Sequence, residues 1–143
     1  MKKTIFLLLS LLMGANLYIS TYAQELKPKV EYNDPDQPTS MGIIIYSNDI
    51  ETVWNALRLA NYSQEWGNAV TVYLLGKGVE VEGLMQTNND IKEQMETFLS
   101  QNGVVLGCQT CFANRDQVSK ICKVACIQDL YETAKKNKVV LTF

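Results

Sequence analysis

An α/β domain built as a three-layer sandwich, with a mainly parallel sheet of about five strands between helices, is the fold class the sequence predicts. Three observations predict it. Short continuous runs of β-branched and other apolar residues recur along the chain, the pattern of strands covered on both faces. Between them lie segments whose apolar residues recur at helical spacing, the pattern of helices with one buried face. The two kinds alternate, and strands separated by helices pair in parallel through right-handed crossovers. An apolar share of 47% with 20% charged residues in a chain of 143 suits a packed domain rather than a disordered chain.

Residues 1–41 precede that pattern. Lys2 and Lys3, the apolar run from Ile5 to Met13 and the small residues of Thr21-Tyr22-Ala23 read as a secretory signal peptide over 1–23, cleaved after Ala23. The run falls short of the roughly 20 apolar residues a membrane-spanning helix needs. The expectation is therefore an exported protein, periplasmic or secreted, with no membrane attachment after cleavage. The three prolines Pro28, Pro35 and Pro38 fall in the polar stretch that follows, which predicts a flexible linker over 24–41 and a domain over 42–143.

Within the domain, Gly42 to Tyr46 reads as a central strand. Asn48, three residues before Glu51, is a relative of the capping box, and Ile50, Val53, Trp54, Leu57 and Ala60 carry the apolar face of the helix that it starts and Gly67 stops. Ala69 to Leu75 is the second strand, followed by a loop containing Gly76, Gly78 and Gly83. Gly76-Lys77-Gly78 lacks the remainder of a phosphate-binding loop and reads as a turn; the loop as far as Asn89 is a candidate lid. Asp90 with Glu93 caps the next helix, whose stripe is Ile91, Met95, Phe98 and Leu99, ending at Asn102-Gly103. Val104 to Leu106 is a third buried strand. Further on, Ile127, Leu130, Tyr131 and Ala134 repeat at helical spacing, with Lys135 and Lys136 at the favourable end of the helix dipole. Val139 to Phe143 closes the chain as a strand. Ser47, Gly76 and Cys108 each follow a strand, so they belong on the carboxyl edge of the sheet, where such folds collect ligands.

The chain contains no histidine, which excludes a Ser-His-Asp triad, a His-activated cysteine and a His-ligated metal. A formal charge of −2, more negative still once Lys2 and Lys3 are removed, offers no basic field for nucleic acid. Four cysteines remain, Cys108, Cys111, Cys122 and Cys126. Cys108 and Cys111 form a Cys-x-x-Cys pair directly after the third strand. A strand end leading into a helix favours a thiolate, and Arg115 supplies a cationic neighbour. Cys122 and Cys126 are spaced to share one face of a helix. Together the four make an alternative zinc or iron–sulfur site, or two disulfides, which export permits. Either alternative describes a module that turns nothing over, and a third is a thiol–disulfide oxidoreductase. No cofactor is expected on the leading reading.

The order of elements, with YLLGKGVEV after the second strand, VVLGCQTCFANR at the third and IQDLYETAKKNKVVLTF at the end, resembles the DsrE/DsrF-like (DsrEFH) sulfur-relay proteins, including the TusD and YchN branches. The resemblance covers roughly 42–143. It implies a layered α/β sandwich that assembles with copies of itself, and a cysteine that accepts sulfane sulfur as a persulfide and hands it on. Cys108 matches that cysteine and Cys111 the second one of some branches. The partners it implies are sulfur donor and acceptor proteins or small sulfane-sulfur compounds. This chain differs in its export signal, in Arg115-Asp116 where the family often has arginine then glycine, and in adding Cys122 and Cys126.

Overall fold

The computed structural model describes residues 39–143; the signal peptide expected over 1–23 and all but the last three residues of the linker expected over 24–41 lie outside the described residues. Strand β1 is Ser40–Ile45. Ser40 and Met41, expected at the end of the linker, are already strand because they pair with Ala69 and Val70. Helix α1, Ile50–Glu65, is capped by Asp49, whose carboxylate accepts the Thr52 N–H at 2.9 Å. Asn48, the expected cap, instead donates its side-chain amide to Glu80 at 2.8 Å. Strand β2 is Ala69–Leu74.

The expected glycine loop is ordered structure. A 3₁₀ segment, Gly76–Glu80, leads into helix α2, Val81–Thr87. Val79 and Val81 are fully buried and dock this stretch onto the core, which short-range glycine content conceals. Helix α3, Asn89–Ser100, is capped by Asn88, which accepts the Ile91 N–H at 3.0 Å, rather than by Asp90. Strand β3 is Val104–Cys108, helix α4 is Gln109–Ala113, strand β4 is Lys123–Ala125, helix α5 is Ile127–Lys136 and strand β5 is Val139–Thr142.

The five strands form one sheet in the order β4-β3-β2-β1-β5, parallel throughout. From β1 the chain steps outward to β4, then α5 carries it back across the sheet to β5 on the other side of β1. A right-handed crossover that reverses direction must use the opposite face. Hence α1 and α3 pack together on one face, while α5 lies on the other. Ile43, Ile45, Val70, Val72, Leu74 and Val105 point to the first face and meet Val53, Leu57, Met95 and Phe98 in the main core. The predicted α/β sandwich with a parallel sheet is the fold observed.

The second face is thinner, and α5 sits on it differently from its apolar pattern. Thr133 is its buried residue, whereas Ile127 and Tyr131 are 78% and 59% exposed. The cause is Gly42: a Cβ there would stand 3.2 Å from both the Thr133 methyl and the Asn137 amide, so the absent side chain lets that face of α5 approach β1. Strand β5, expected as a closing strand, is an exposed edge. Among the described residues no helix is long and apolar enough to cross a membrane.

Candidate functional site

The cysteines gather at the carboxyl edge of β2, β3 and β4, and strand alternation sorts them. In β3, Val105 and Gly107 face the main core, so Leu106 and Cys108 face the α5 layer. Tyr73 is the register partner of Leu106 and faces the same way. It is 1% exposed, and its hydroxyl donates to the Cys126 carbonyl at 3.0 Å. Burial, followed by the negative charge available to Cys108, Asp129, Cys111 and Cys126, pushes its phenol up to about 12. No local motif marks Tyr73 in the sequence; its role follows from the register.

Cys108 is the N-cap of α4, its Sγ accepting the Cys111 N–H at 3.3 Å. The Sγ of Cys111 in turn accepts the Gly76 N–H at 3.2 Å. Gly76 has φ +56°, a conformation glycine adopts without steric penalty, and it starts the 3₁₀ segment that grips the thiol pair. The segment expected as a lid thus borders the Cys-x-x-Cys turn as 3₁₀ and helical backbone.

The expected low thiol pKa is not what this setting produces. Burial raises the Cys108 thiol and the neighbouring Cys111 side chain adds to the rise, against the lowering effect of the Cys111 and Thr110 backbone N–H groups. A helix of five residues carries too little aligned dipole to reverse that balance. Iodoacetamide modification of Cys108, mapped by peptide mass across pH 7 to 10, is expected to follow a midpoint above the ordinary cysteine value of about 8.5. A midpoint below 7.5 would show a thiolate stabilised at neutral pH.

Arg115 is engaged elsewhere than at the thiols. Its Nε donates to Glu80 at 3.0 Å and its Nη1 to the Cys111 carbonyl at 3.2 Å. Glu80 also receives Asn48, and the Asn48 and Arg115 hydrogen bonds hold its carboxyl below the usual carboxylate range. Asn48, Glu80, Arg115 and Cys111 thus form one chain that ties together the segments following β1, β2 and β3. The expected contact of Arg115 with the Cys108 sulfur gives way to a brace that positions α4, its charge offset by Glu80. Glu80 lies 35 positions from Arg115, and no sequence spacing announces the pair.

Cys122 and Cys126 do not share a helix, because β4 lies between them. The Cys122 sulfur packs over Gly107, where a Cβ would meet it at 2.6 Å, beside Phe112 on the main-core side of β3. Burial raises its thiol too. Cys126 is exposed and caps α5. Among the described residues, no three side chains of metal-ligating type are gathered as a ligand set, and all four cysteines are free thiols. The structure therefore brings Cys108, Cys111 and Cys126 toward Tyr73 and leaves Cys122 behind the sheet.

No protein-family model matches this chain, and no curated protein matches it. Among solved structures it is similar to a conserved protein of unknown function, BT1422, from Bacteroides thetaiotaomicron. The TM-score is 0.61 at 20% sequence identity, with 73% of this chain and 95% of that chain covered. The likeness is one of fold.

Proposed function

We propose that the protein is an exported, DsrE-like sulfane-sulfur carrier that loads sulfur on Cys108. The observation that carries this reading is the pair of sulfurs at the end of β3, each accepting a backbone N–H: Cys108 from Cys111 and Cys111 from Gly76. Those N–H groups favour sulfur bearing negative charge, the form in which a thiolate attacks and a persulfide leaves. The Cys108 thiolate attacks the outer sulfur of a donor RS–SH. A new S–S bond forms at Cys108, the donor S–S bond breaks, and RS⁻ departs.

Cys111, one helical turn away, acts as the resolving thiol. Its attack on the Cys108 sulfur closes a Cys108–Cys111 disulfide and expels the outer sulfur as hydrosulfide; an external thiol then returns the pair to its reduced form. The same pair, without a sulfane donor, is a dithiol able to exchange with disulfides, so the oxidoreductase reading shares its residues. The partners proposed are sulfane-sulfur donors and acceptors, together with copies of this chain. Self-association is supported by β5, an edge strand among the described residues, where Val139, Val140 and Leu141 are exposed, since an apolar edge strand is a template for pairing.

Incubation with glutathione persulfide followed by intact mass and peptide mapping tests the reading. A mass gain of one sulfur atom at Cys108, removed by a thiol reductant and absent in Cys108→Ser, is expected. A wild-type protein that gains no sulfur at Cys108 would sink the proposal.

A further inference from the structure

Cys126 stands 15 positions beyond Cys111 in the sequence, yet the sheet returns it to the same edge. The Cα of Cys108 is opposite that of Ala125 in the β3–β4 register. Neighbouring strands lie about 4.8 Å apart with about 3.3 Å of rise per residue, which places the Cα of Cys126, one residue on, about 6 Å from that of Cys108. That separation lies within the range of about 4.4–6.8 Å over which two cysteine sulfurs reach bonding distance. By register Ala125 and Cys108 fall on the same side of the sheet, and Cys126 is the N-cap residue of α5, its carbonyl accepting the N–H of Asp129 at 3.1 Å. The Asp129 carboxylate holds the Cys126 N–H at 2.7 Å, and the Tyr73 hydroxyl holds the Cys126 carbonyl at 3.0 Å. The backbone of Cys126 is thus fixed on both sides, beside the strand end that carries Cys108.

Exposure distinguishes the thiols. Cys108 is half-buried and Cys126 exposed, so an acceptor molecule reaches Cys126 more readily. Cys122, although nearer in sequence to Cys108, is held on the opposite side of β3 against Gly107.

We infer that Cys126 is a second sulfur station, taking the sulfane sulfur from Cys108 and presenting it at the surface; this rests on the sulfur-carrier reading above. The Cys126 thiolate attacks the outer sulfur of the Cys108 persulfide. One S–S bond forms at Cys126, the one at Cys108 breaks, and Cys108 leaves as a thiolate that takes up the proton given up by Cys126. No oxidant or reductant is consumed, because the sulfane sulfur only changes its bearer. Two fates then compete at Cys108: attack by Cys111 releases the sulfur as hydrosulfide, whereas attack by Cys126 preserves it for transfer.

The test loads the protein with glutathione persulfide, quenches with iodoacetamide at successive times and maps alkylated persulfide to each cysteine. Label is expected first at Cys108 and then at Cys126 as Cys108 loses it. In Cys108→Ser the Cys126 label is expected to disappear, and in Cys126→Ser the label is expected to persist at Cys108. Serine retains a cap at position 126, and far-ultraviolet circular dichroism checks both variants for folding. Label confined to Cys108 would overturn the relay while leaving the carrier reading standing. Label on Cys126 that forms as fast in Cys108→Ser would overturn it by showing direct loading. Label at neither cysteine would remove the carrier reading and the relay together.

Discussion

Gly78→Ala is expected to destabilise the domain by at least about 3 kcal/mol, the upper part of the range for overpacking. A Cβ at Gly78 would lie 1.9 Å from the Ile45 carbonyl oxygen and 2.7 Å from its carbon, both backbone atoms at the end of β1. Flexible side chains relieve such contacts by changing rotamer, but a strand in the middle of a sheet has no comparable motion. The same Ile45 oxygen accepts the Leu75 N–H at 2.8 Å, and Gly78 N–H donates to the Leu75 carbonyl at 2.8 Å. The methyl group must therefore lift the 3₁₀ segment off β1, pulling the Gly76 N–H from Cys111 and Glu80 from Arg115. Gly83→Ala supplies the control: nothing lies within 4 Å of its Cβ and it sits in α2, so a gain of about 0.5–1 kcal/mol is expected from helix propensity. Urea unfolding of the two variants measures both effects, and a Gly78→Ala protein within 1 kcal/mol of wild type would contradict the packing at the thiol wall.

The second large effect is expected at alkaline pH. Burial pushes the Tyr73 phenol up to about 12 in the folded protein, above the ordinary tyrosine value of about 10, so folding favours its neutral form. That contribution is complete below pH 10 and is lost as the pH rises through 12, about 2–3 kcal/mol in all. Tyr73→Phe lacks the titration but also lacks the hydrogen bond to the Cys126 carbonyl, worth about 0.5–1.5 kcal/mol. Wild type is thus expected to be the more stable protein at pH 8 and the less stable one at pH 12, with the two unfolding free energies crossing near pH 11. Every other residue is common to both proteins, so the difference between the two curves reports on Tyr73. Parallel curves across that range would show that the hydroxyl is not held in a buried, thiol-lined setting.

Much of the fold is legible in the residues, because strand and helix periodicities are set by near neighbours. Runs such as Gly42 to Tyr46 and Ala69 to Leu75 mark strands that must bury both faces, and their alternation with helical stripes dictates parallel pairing. Helix starts are legible only to within a position or two, since Asn48, Asp49, Asn88 and Asp90 are all competent caps and the choice falls to whichever side chain another part of the chain leaves free. Asn48 is lost to Glu80, and Asp49 takes its place. Strand β4 is three residues long and owes its existence to pairing with Leu106 to Cys108. Helix α5 shows a plausible apolar stripe, yet its docking is decided by Gly42 on a strand more than eighty residues earlier.

The candidate site divides in the same way. Cys108 and Cys111 are readable as a pair because one turn of chain separates them and a strand precedes them. Arg115 is readable as a nearby cation, but its partner Glu80 comes from another element, and the ion pair redirects its charge from sulfur to structure.

By itself, then, the sequence determined an α/β domain with a parallel sheet, a thiol pair at the end of a strand and an absence of imidazole chemistry. Those properties depend on residue identity and spacing over a few positions. Only the tertiary structure decided that Cys126 joins Cys108 and Cys111 around Tyr73, that Cys122 lies behind the sheet, and that burial raises the Cys108 thiol. Each of these is set by strand register and by which face a side chain takes, and a shift of one residue in register would exchange the faces.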